Sequence, residues 1–323
     1  MNLPLVLAVV TISSVALVTA KGPFDPEEMH FIFTRCMEDN LKDGPDRVET
    51  LLKWKEWVTE PRDDPATHCF AKCVLEMSGL YDAASGKFDA SVIEAQHKAY
   101  PNSEDKGKVD ALVKAVQGLP PTKNDCTAVF RAFGPVHMAH KATSINLFHD
   151  NKALTKGIYE KLGKDIRQRK QSYFEFCENK HYPVGSPKRS DLCKIRQYVV
   201  LDDAQFKQHT DCIMKGLRYI TKDNILNCDE IKRDFKQVNK DTGALEKVLN
   251  TCKAKEPRDV KEKSWHYYKC LVESSVVNDF KEAFDYREVR SQNYGYHLMQ
   301  KQQYNKPAVQ AQVSEVDGKQ CPS

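Results

Sequence analysis

Apolar side chains recur along most of the chain at the spacing of one face of an α-helix. In 47–58, Leu51, Trp54 and Val58 follow one another at intervals of three and four residues, and in 271–289 a large apolar residue returns every fourth position. These intervals predict amphipathic helices. The same periodicity predicts further helices over 26–40, 65–78, 89–99, 105–117, 152–176, 203–220 and 241–254.

Helix breakers that contain Pro, at two places together with Gly, separate these segments at 43–45, 101–102, 119–121, 183–185 and 256–257. Alternating runs of β-branched residues are scarce, so we expect an all-α fold. The 323 residues suggest about two domains, and 41% hydrophobic residues exclude general disorder. The net charge of +4 is too small an excess to indicate nucleic-acid binding.

The N-terminal segment predicts export from the cell. Residues 2–20 carry no charge, and an apolar stretch from Leu3 to Val18 ends in Val18-Thr19-Ala20. Small residues at the last and third-last of these positions predict a signal peptide over 1–20, cleaved after Ala20. A membrane anchor is the alternative, but the stretch is short and no stop-transfer pattern follows it.

Eleven cysteines predict a disulfide framework, because an exported chain meets an oxidising environment. The long interval between Cys126 and Cys177 is the natural place for a domain junction, which we put between units 21–158 and 159–323. An odd number of cysteines leaves one thiol unpaired. The chain contains no Asn-x-Ser/Thr sequon, so ordinary N-glycosylation is not expected.

The motifs favour binding over catalysis. The chain has no Gly-x-Ser-x-Gly, His-Glu-x-x-His, phosphate-loop or dinucleotide motif, and bridged cysteines cannot act as nucleophiles. Cys69 and Cys73 lie one turn apart, but no second close Cys or His pair completes a zinc site. His137 and His140 also lack further ligands nearby. We therefore expect neither an enzyme nor a metal or cofactor site.

The cysteine spacing resembles that of the insect odorant-binding-protein superfamily: an early helical Cys, then Cys-x3-Cys, then a later Cys. Two such units behind a signal peptide resemble the long-form salivary proteins of mosquitoes, which bind host mediators. Local strings in the C-terminal unit carry the same resemblance: Phe176-Cys177-Glu178-Asn179-Lys180, Cys193-Lys194-Ile195-Arg196, His209-x2-Cys212, Trp265-His266-Tyr267-Tyr268-Lys269-Cys270, Phe284-Asp285 and Glu288.

The resemblance implies two tandem odorant-binding-like helical domains and a set of disulfide pairs. Each bridge stabilises the fold by about 2–4 kcal/mol, mainly by restricting the unfolded chain. Cys228 is left over as the free thiol. The implied pairs are Cys36–Cys73, Cys69–Cys126, Cys177–Cys212, Cys193–Cys321 and Cys252–Cys270.

The strongest candidate for binding chemistry is an acidic pair near the end of a predicted helix. Asp285 and Glu288 are three residues apart, so their carboxylates can converge on one point. The functional interpretation is a pocket that holds an ammonium ion. The alternative is a solvated face whose charge Arg287 and Arg290 neutralise, since charged residues on helices are mostly exposed.

The resemblance implies that further residues join this pair in binding biogenic amines such as serotonin, noradrenaline and histamine. Flat aromatic rings attract a cation, and arginine or histidine bonds the hydroxyls of a catechol or indole. Ordinary core packing and ion pairing are the alternatives for each. The implied additions are Glu178, Arg196, His209 and Tyr268, with Trp265 and Phe284 as aromatic walls.

The N-terminal unit offers an apolar stripe instead of an acidic pair. By resemblance it binds cysteinyl leukotrienes, with Trp57 in the apolar wall and Arg169 and Lys170 beside the acid groups. An ordinary core with a solvated basic segment is the alternative.

The resemblance thus implies a monomeric, secreted salivary scavenger of small-molecule mediators that opposes vasoconstriction, platelet aggregation and inflammation. We expect neither nucleic acid nor membrane as a partner. Two other functions remain open: inhibition of a haemostatic protein through the basic surface, and capture of ADP between the units.

Overall fold

The computed structural model describes residues 22–59, 63–292, 294–300 and 303–321, and the predicted signal peptide lies outside them. Helices make up most of the described chain, as the periodicity predicts. A two-residue antiparallel hairpin, β1 (Tyr81–Asp82) and β2 (Lys87–Phe88), interrupts them. The first seven helices are α1 (Pro26–Asn40), α2 (Arg47–Lys55), α3 (Pro65–Met77), α4 (Ser91–Ala99), α5 (Lys106–Gln117), α6 (Cys126–Leu147) and α7 (Lys152–Leu162).

Nine further helices follow a short 3₁₀ turn at Gly163–Asp165, and a second 3₁₀ turn, Val260–Glu262, precedes α13. They are α8 (Tyr173–His181), α9 (Asp191–Arg196), α10 (Ala204–Gly216), α11 (Cys228–Gln237), α12 (Thr242–Ala254), α13 (Lys263–Val272), α14 (Val277–Ser291), α15 (Tyr294–Gln300) and α16 (Lys306–Gln320).

Local sequence sets where many of these helices begin. Asp25 and Glu28 form a reciprocal capping box at α1, and the side chains of Asp64 and Asp203 accept backbone N–H groups at α3 and α10. Such caps satisfy donors that have no partner within the helix. The same geometry starts α5, α6, α7, α8, α11, α12 and α16.

Two separate hydrophobic cores lie within the described residues. The first is formed by α1–α6 around Trp54 and Leu112, and the second by α8–α14 around Phe235 and Phe280. Leu298 of α15 packs into the first core, so a late segment of the chain returns to the N-terminal unit. The predicted boundary between 158 and 159 lies inside α7 and stays a prediction.

Five disulfides tie these helices together, and they join the cysteines that the resemblance implied. Cys69 and Cys73 of α3 reach two partners, Cys126 of α6 and Cys36 of α1. Cys321 links the end of α16 to α9, and Cys228 forms no bridge.

Two of the predicted helices are wrong as single elements. The segment 152–176 breaks at Gly163, which has φ +50°, and restarts at the Ser172 cap of α8. The segment 271–289 breaks between α13 and α14, where the Ser274 hydroxyl donates to the carbonyl of Leu271. The four-residue apolar spacing continues through this turn, so periodicity alone does not reveal the break.

Candidate functional site

The acidic pair predicted from the sequence lines a cavity in the C-terminal unit. Its walls come from α8, α9, α10, α13, α14 and α16, together with the turn after α9, and its volume is about 30 Å³. It is lined by Phe174, Glu178, Ile195, Arg196, Tyr198, Phe206, His209, Thr210, Ile213, Tyr268, Phe284, Asp285, Glu288, Val313 and Asp317. Seven of the eight residues implied by the resemblance are in this list.

Arg196 lies among three of the carboxylates. Its guanidinium is 2.8 Å from Glu178, 3.1 Å from Glu288 and 2.8 Å from Asp317. Glu178 and Glu288 are 1% and 3% exposed, so both charges are almost completely removed from water. Burial acts to lower the pKa of Arg196. The neighbouring carboxylates of Glu288 and Glu178 raise that pKa by more than burial lowers it, so the guanidinium stays charged. One cation therefore faces four acidic groups, counting Asp285.

Burial makes these acids costly to ionise. It raises the pKa of Glu288 to about 7, against the opposing effect of Arg196. It also raises the pKa of Asp285 to about 6, although the Tyr198 hydroxyl donates a 2.5 Å hydrogen bond to that carboxylate. The pKa of Glu178 is raised for the same reason. A cation entering the cavity stabilises the ionised forms, because opposite charge lowers the pKa of a carboxyl group.

The neutralisation expected from Arg287 and Arg290 does not occur. Arg287 donates to Glu230 and Asp234 at 3.0 and 3.2 Å, and Arg290 pairs with Glu38 of α1 at 2.6 Å. Both arginines serve the interface between the two units. The interpretation of the acidic pair as a solvated face is therefore wrong.

His209 places a buried polar atom at the cavity. It is 1% exposed, and its Nε2 has no hydrogen-bond partner among the described residues. Burial, together with the charges of His181 and Arg196, lowers the pKa of His209 to about 3, so the ring is neutral at physiological pH. Buried polar atoms normally have a partner, and a hydroxyl of a bound molecule would provide one here.

Aromatic rings form the rest of the wall. Phe284 is edge-on to Phe174 with centroids 4.6 Å apart, and it lies 6.0 Å from Tyr268 and 6.2 Å from Tyr198. Such rings suit a flat, partly charged molecule. The structure does not bring Trp265 to the cavity.

Trp265 lies one helical turn before Tyr268 in α13, but only Tyr268 lines the cavity. Its indole N–H donates to the carbonyl of Leu201 at 2.9 Å, and the ammonium groups of Lys207 and Lys269 lie over its ring. These contacts hold the indole near the surface.

Sequence reasoning missed several lining residues. Tyr198 follows α9, and no motif separated it from the other tyrosines. Asp317 and Val313 come from α16, which the periodicity does not predict. The Cys193–Cys321 bridge was the available signal, since it ties the end of α16 to the helix that carries Arg196.

A second site consists of two adjoining spaces, an inner one within the N-terminal unit and an outer one to which residues 159–170 and 291–298 also contribute. An apolar chamber of about 80 Å³ has walls that include Phe70, Leu112 and Phe133. A wider mouth of about 390 Å³ adjoins it and contains Arg169 and Lys170. Met29, Phe33, Trp57 and Phe148 line both spaces. All three residues implied for lipid binding therefore meet at this site.

Trp57 marks the junction of the chamber and the mouth. Its ring lies 5.0 Å from Phe33 and 5.9 Å from His137, and the ring of His137 bonds the Trp57 carbonyl at 3.1 Å. The mouth is basic: Lys55, Lys152, Arg169 and Lys170 are exposed there, and none forms an ion pair with another described residue.

Comparison with known proteins places this geometry in a family. A model described as the PBP/GOBP family matches residues 22–134 and again residues 160–274. The chain belongs to the PBP/GOBP family. The two matches confirm the predicted all-α fold of two tandem odorant-binding-like domains, and they confirm the family resemblance.

Two similar proteins are named as long form salivary proteins of the mosquito Aedes aegypti. The long form salivary protein D7L1 of Aedes aegypti is 71% identical over 322 residues, which is 100% of both chains. The long form salivary protein D7L2 of the same mosquito is 40% identical, over 98% of this chain and 96% of its own.

Three solved structures of similar proteins contain ligands. The AeD7–leukotriene E4 complex has a TM-score of 0.87 at 71% identity, covering 88% of this chain and 96% of that one. The AnSt-D7L1–U46619 complex scores 0.79 at 30% identity, over 91% and 97%. Culex quinquefasciatus D7 long form 1 with ADP scores 0.81 at 27% identity, over 93% and 99%.

Two further observations bear on the class of protein. The described residues include no helix long and apolar enough to cross a membrane. They also contain no group of three or more His, Cys, Asp or Glu side chains placed to hold a metal ion.

Proposed function

We propose that this protein is a secreted salivary scavenger that captures host mediators in two separate cavities. Biogenic amines occupy the C-terminal unit, residues 159–323, and cysteinyl leukotrienes occupy the N-terminal unit, residues 21–158. Capture of both opposes vasoconstriction, platelet aggregation and inflammation at a bite. The observation that carries the proposal is the opposite chemistry of the cavities: one small, acidic and aromatic, the other apolar with a basic mouth.

The acidic cavity suits a small aromatic cation. A monoamine has about a dozen non-hydrogen atoms, so nanomolar capture requires about −1 kcal/mol per atom, near the ceiling for small ligands. Apolar contact alone does not supply that. Charge-assisted hydrogen bonds from the ammonium group to Asp285 and Glu288 do, because such bonds are about twice as strong as neutral ones.

His209 and Arg196 are the candidates to bind the end of the ligand opposite its ammonium group. The unpartnered Nε2 of His209 can accept a hydrogen bond from a ring hydroxyl or donate one to it, depending on the tautomer of the imidazole. The present cavity of about 30 Å³ holds little more than a water molecule. Amine binding therefore requires the cavity to widen. Movement of the Arg196 side chain from between Glu178 and Glu288 provides both the volume and the unbalanced negative charge.

The N-terminal site suits a long amphipathic acid. The chamber takes an apolar chain past Trp57, and the exposed cations of the mouth meet carboxylates at the other end. Leukotriene E4 is bound by the AeD7 protein, which is 71% identical to this chain. A scavenger of this kind binds its ligand mole for mole without turnover, so it needs no catalytic group.

Calorimetry with two ligands tests the assignment. Serotonin and leukotriene E4 are expected to give independent events, each close to one per chain. Asp285→Asn with Glu288→Gln abolishes the serotonin event and leaves the leukotriene event intact. These substitutions keep side-chain volume, so the core remains filled.

A matched control removes the same charge elsewhere. Glu273→Gln with Asp279→Asn deletes two acids from the adjoining surface and leaves serotonin binding unchanged. Trp57→Ala gives the converse result: it weakens leukotriene binding at least tenfold and leaves the amine event unaltered, an estimate from the burial of one large ring. Normal serotonin binding by the first double variant would show that the amine site is assigned to the wrong residues.

Capture of ADP is a second candidate for the basic mouth. The mouth carries Lys152, Arg169 and Lys170, and a Culex relative that is 27% identical binds ADP. Titration with ADP, alone and after saturation with leukotriene E4, separates the two ligands. Inhibition of a haemostatic protein through the basic surface predicts instead a clotting effect that added salt weakens and that the Asp285→Asn, Glu288→Gln variant retains.

A further inference from the structure

An open depression lies beside α7 and shares Tyr159 with the lipid mouth. Its volume is about 540 Å³, and Tyr159 lines both spaces. We call it the basic depression, because Lys156, Lys164 and Lys180 stand around its rim. Neither proposed ligand occupies it, so its chemistry is not explained by mediator capture.

The lysines of the basic depression are available to an outside partner. All three are exposed. Lys156 lies 3.6 Å from Glu160 and Lys180 lies 3.3 Å from Asp165, and exposed pairs of this kind contribute little. Lys164 forms no ion pair with any described residue.

The positive excess of the whole chain is located in this region. The basic depression and the lipid mouth together carry eight cations and the four acids that line them or pair with them. The chain has 49 basic and 45 acidic residues, so the 41 basic residues outside this region are balanced by 41 acidic residues. The eight cations are Lys55, Lys152, Lys156, Lys164, Arg167, Arg169, Lys170 and Lys180, and the acids are Glu27, Asp150, Glu160 and Asp165.

The uncharged lining of the basic depression matches the chemistry of a sugar. Asn179 presents an exposed amide, and the side-chain oxygen of Gln168 lies in the same lining while its Nε2 donates to the carbonyl of Gly163 at 2.7 Å. An amide can bond the hydroxyl groups of a sugar. Tyr159 and Phe176 offer ring faces for the apolar face of a pyranose, and the Lys180 ammonium lies 5.7 Å from the centre of the Phe176 ring. A cation beside an aromatic face and an amide suits an anionic group attached to a sugar.

We propose that the basic depression binds a sulfated polysaccharide, with sulfates on Lys156, Lys164 and Lys180. Lysine ammonium groups act as compact point charges for an anionic group such as sulfate. The eleven residues of α7 extend for about 16 Å, long enough for several sugar units.

Such binding would retain the scavenger in the sulfated matrix around a bite. Retention raises its local concentration where mediators are released, without changing its affinity for either one. The inference goes beyond mediator capture, and the two are measured separately.

The experiment uses heparin oligosaccharides of defined length, in calorimetry and on an immobilised heparin column. The test variant is Lys156→Gln, Lys164→Gln, Lys180→Gln. The control is Lys247→Gln, Lys253→Gln, Lys255→Gln, which removes three exposed lysines from the region of α12 and changes net charge equally. Loss of three exposed charge contacts weakens binding about tenfold, and the control changes it less than about twofold.

Several results would overturn the proposal. If the test and control variants elute from the heparin column at the same salt concentration, only net charge matters. Equal binding of desulfated heparin would remove the role of sulfate, and equal competition by single-stranded DNA of matched charge would assign the surface to nucleic acid. Serotonin and leukotriene E4 titrations of the test variant are expected to remain normal, so a failure here is distinguishable from a failure of mediator capture.

Discussion

Lowering the pH from 7.4 to 5.4 is a perturbation whose effect on the amine site follows from the geometry. Glu288 and Asp285 are buried in the same cavity, and burial raises their pKa values to about 7 and about 6. Bound ammonium favours the ionised form of both. Amine binding is therefore linked to proton release, and affinity falls as pH falls through these pKa values.

The magnitude follows from the ionised fractions. Between pH 7.4 and 5.4 the ionised fraction of Glu288 falls about thirtyfold and that of Asp285 about fivefold, for pKa values of about 7 and 6. The product is an affinity loss of about a hundredfold, or about 3 kcal/mol. At pH 7.4 binding releases about 0.3 proton, mostly from Glu288.

Calorimetry with serotonin at both pH values, in two buffers with different heats of ionisation, measures both quantities. Circular dichroism at pH 5.4 checks that the fold is retained. Glu288→Gln is expected to reduce the pH effect to about fivefold, because the contribution of Glu288 is removed and that of Asp285 is kept. Glu273→Gln, on the surface, retains the full effect. An affinity that changes less than about tenfold, or proton uptake on binding, would refute the reasoning.

Three other substitutions test separate parts of the structure. Cys321→Ser releases α16 from α9 and is expected to weaken serotonin binding several-fold while leaving leukotriene E4 unaffected; Cys228→Ser, its control, changes neither isotherm. Trp265→Phe leaves serotonin affinity within about twofold by calorimetry, since the indole lies outside the cavity; a tenfold loss would return it to the site. Glu230→Gln removes the negative charge that the buried side chains of Arg35 and Arg287 share at the interface between the units. The free energy of unfolding is expected to fall by about 3 kcal/mol in urea denaturation. An unchanged urea midpoint would contradict a stabilising role for Glu230.

Local patterns in the sequence determined much of the fold. The helical spacing of apolar residues predicts where helices lie, and the structure shows that caps such as Asp64, Asp203 and Asp241 set where they begin; both act within a few residues of the chain. The three-residue separation of Asp285 and Glu288 likewise determined that the two carboxylates share a helix face. The resemblance to the family added the bridges and seven of the fifteen residues that line the cavity.

Only the tertiary structure decided which side chains meet. Arg196 contacts Glu288 and Asp317 across 92 and 121 residues, and these contacts depend on how α9, α14 and α16 pack. The same packing turns Trp265 away from the cavity that Tyr268 lines. Periodicity specifies a buried face for each helix but not the neighbour against which that face packs, because that choice is made by contacts between distant segments.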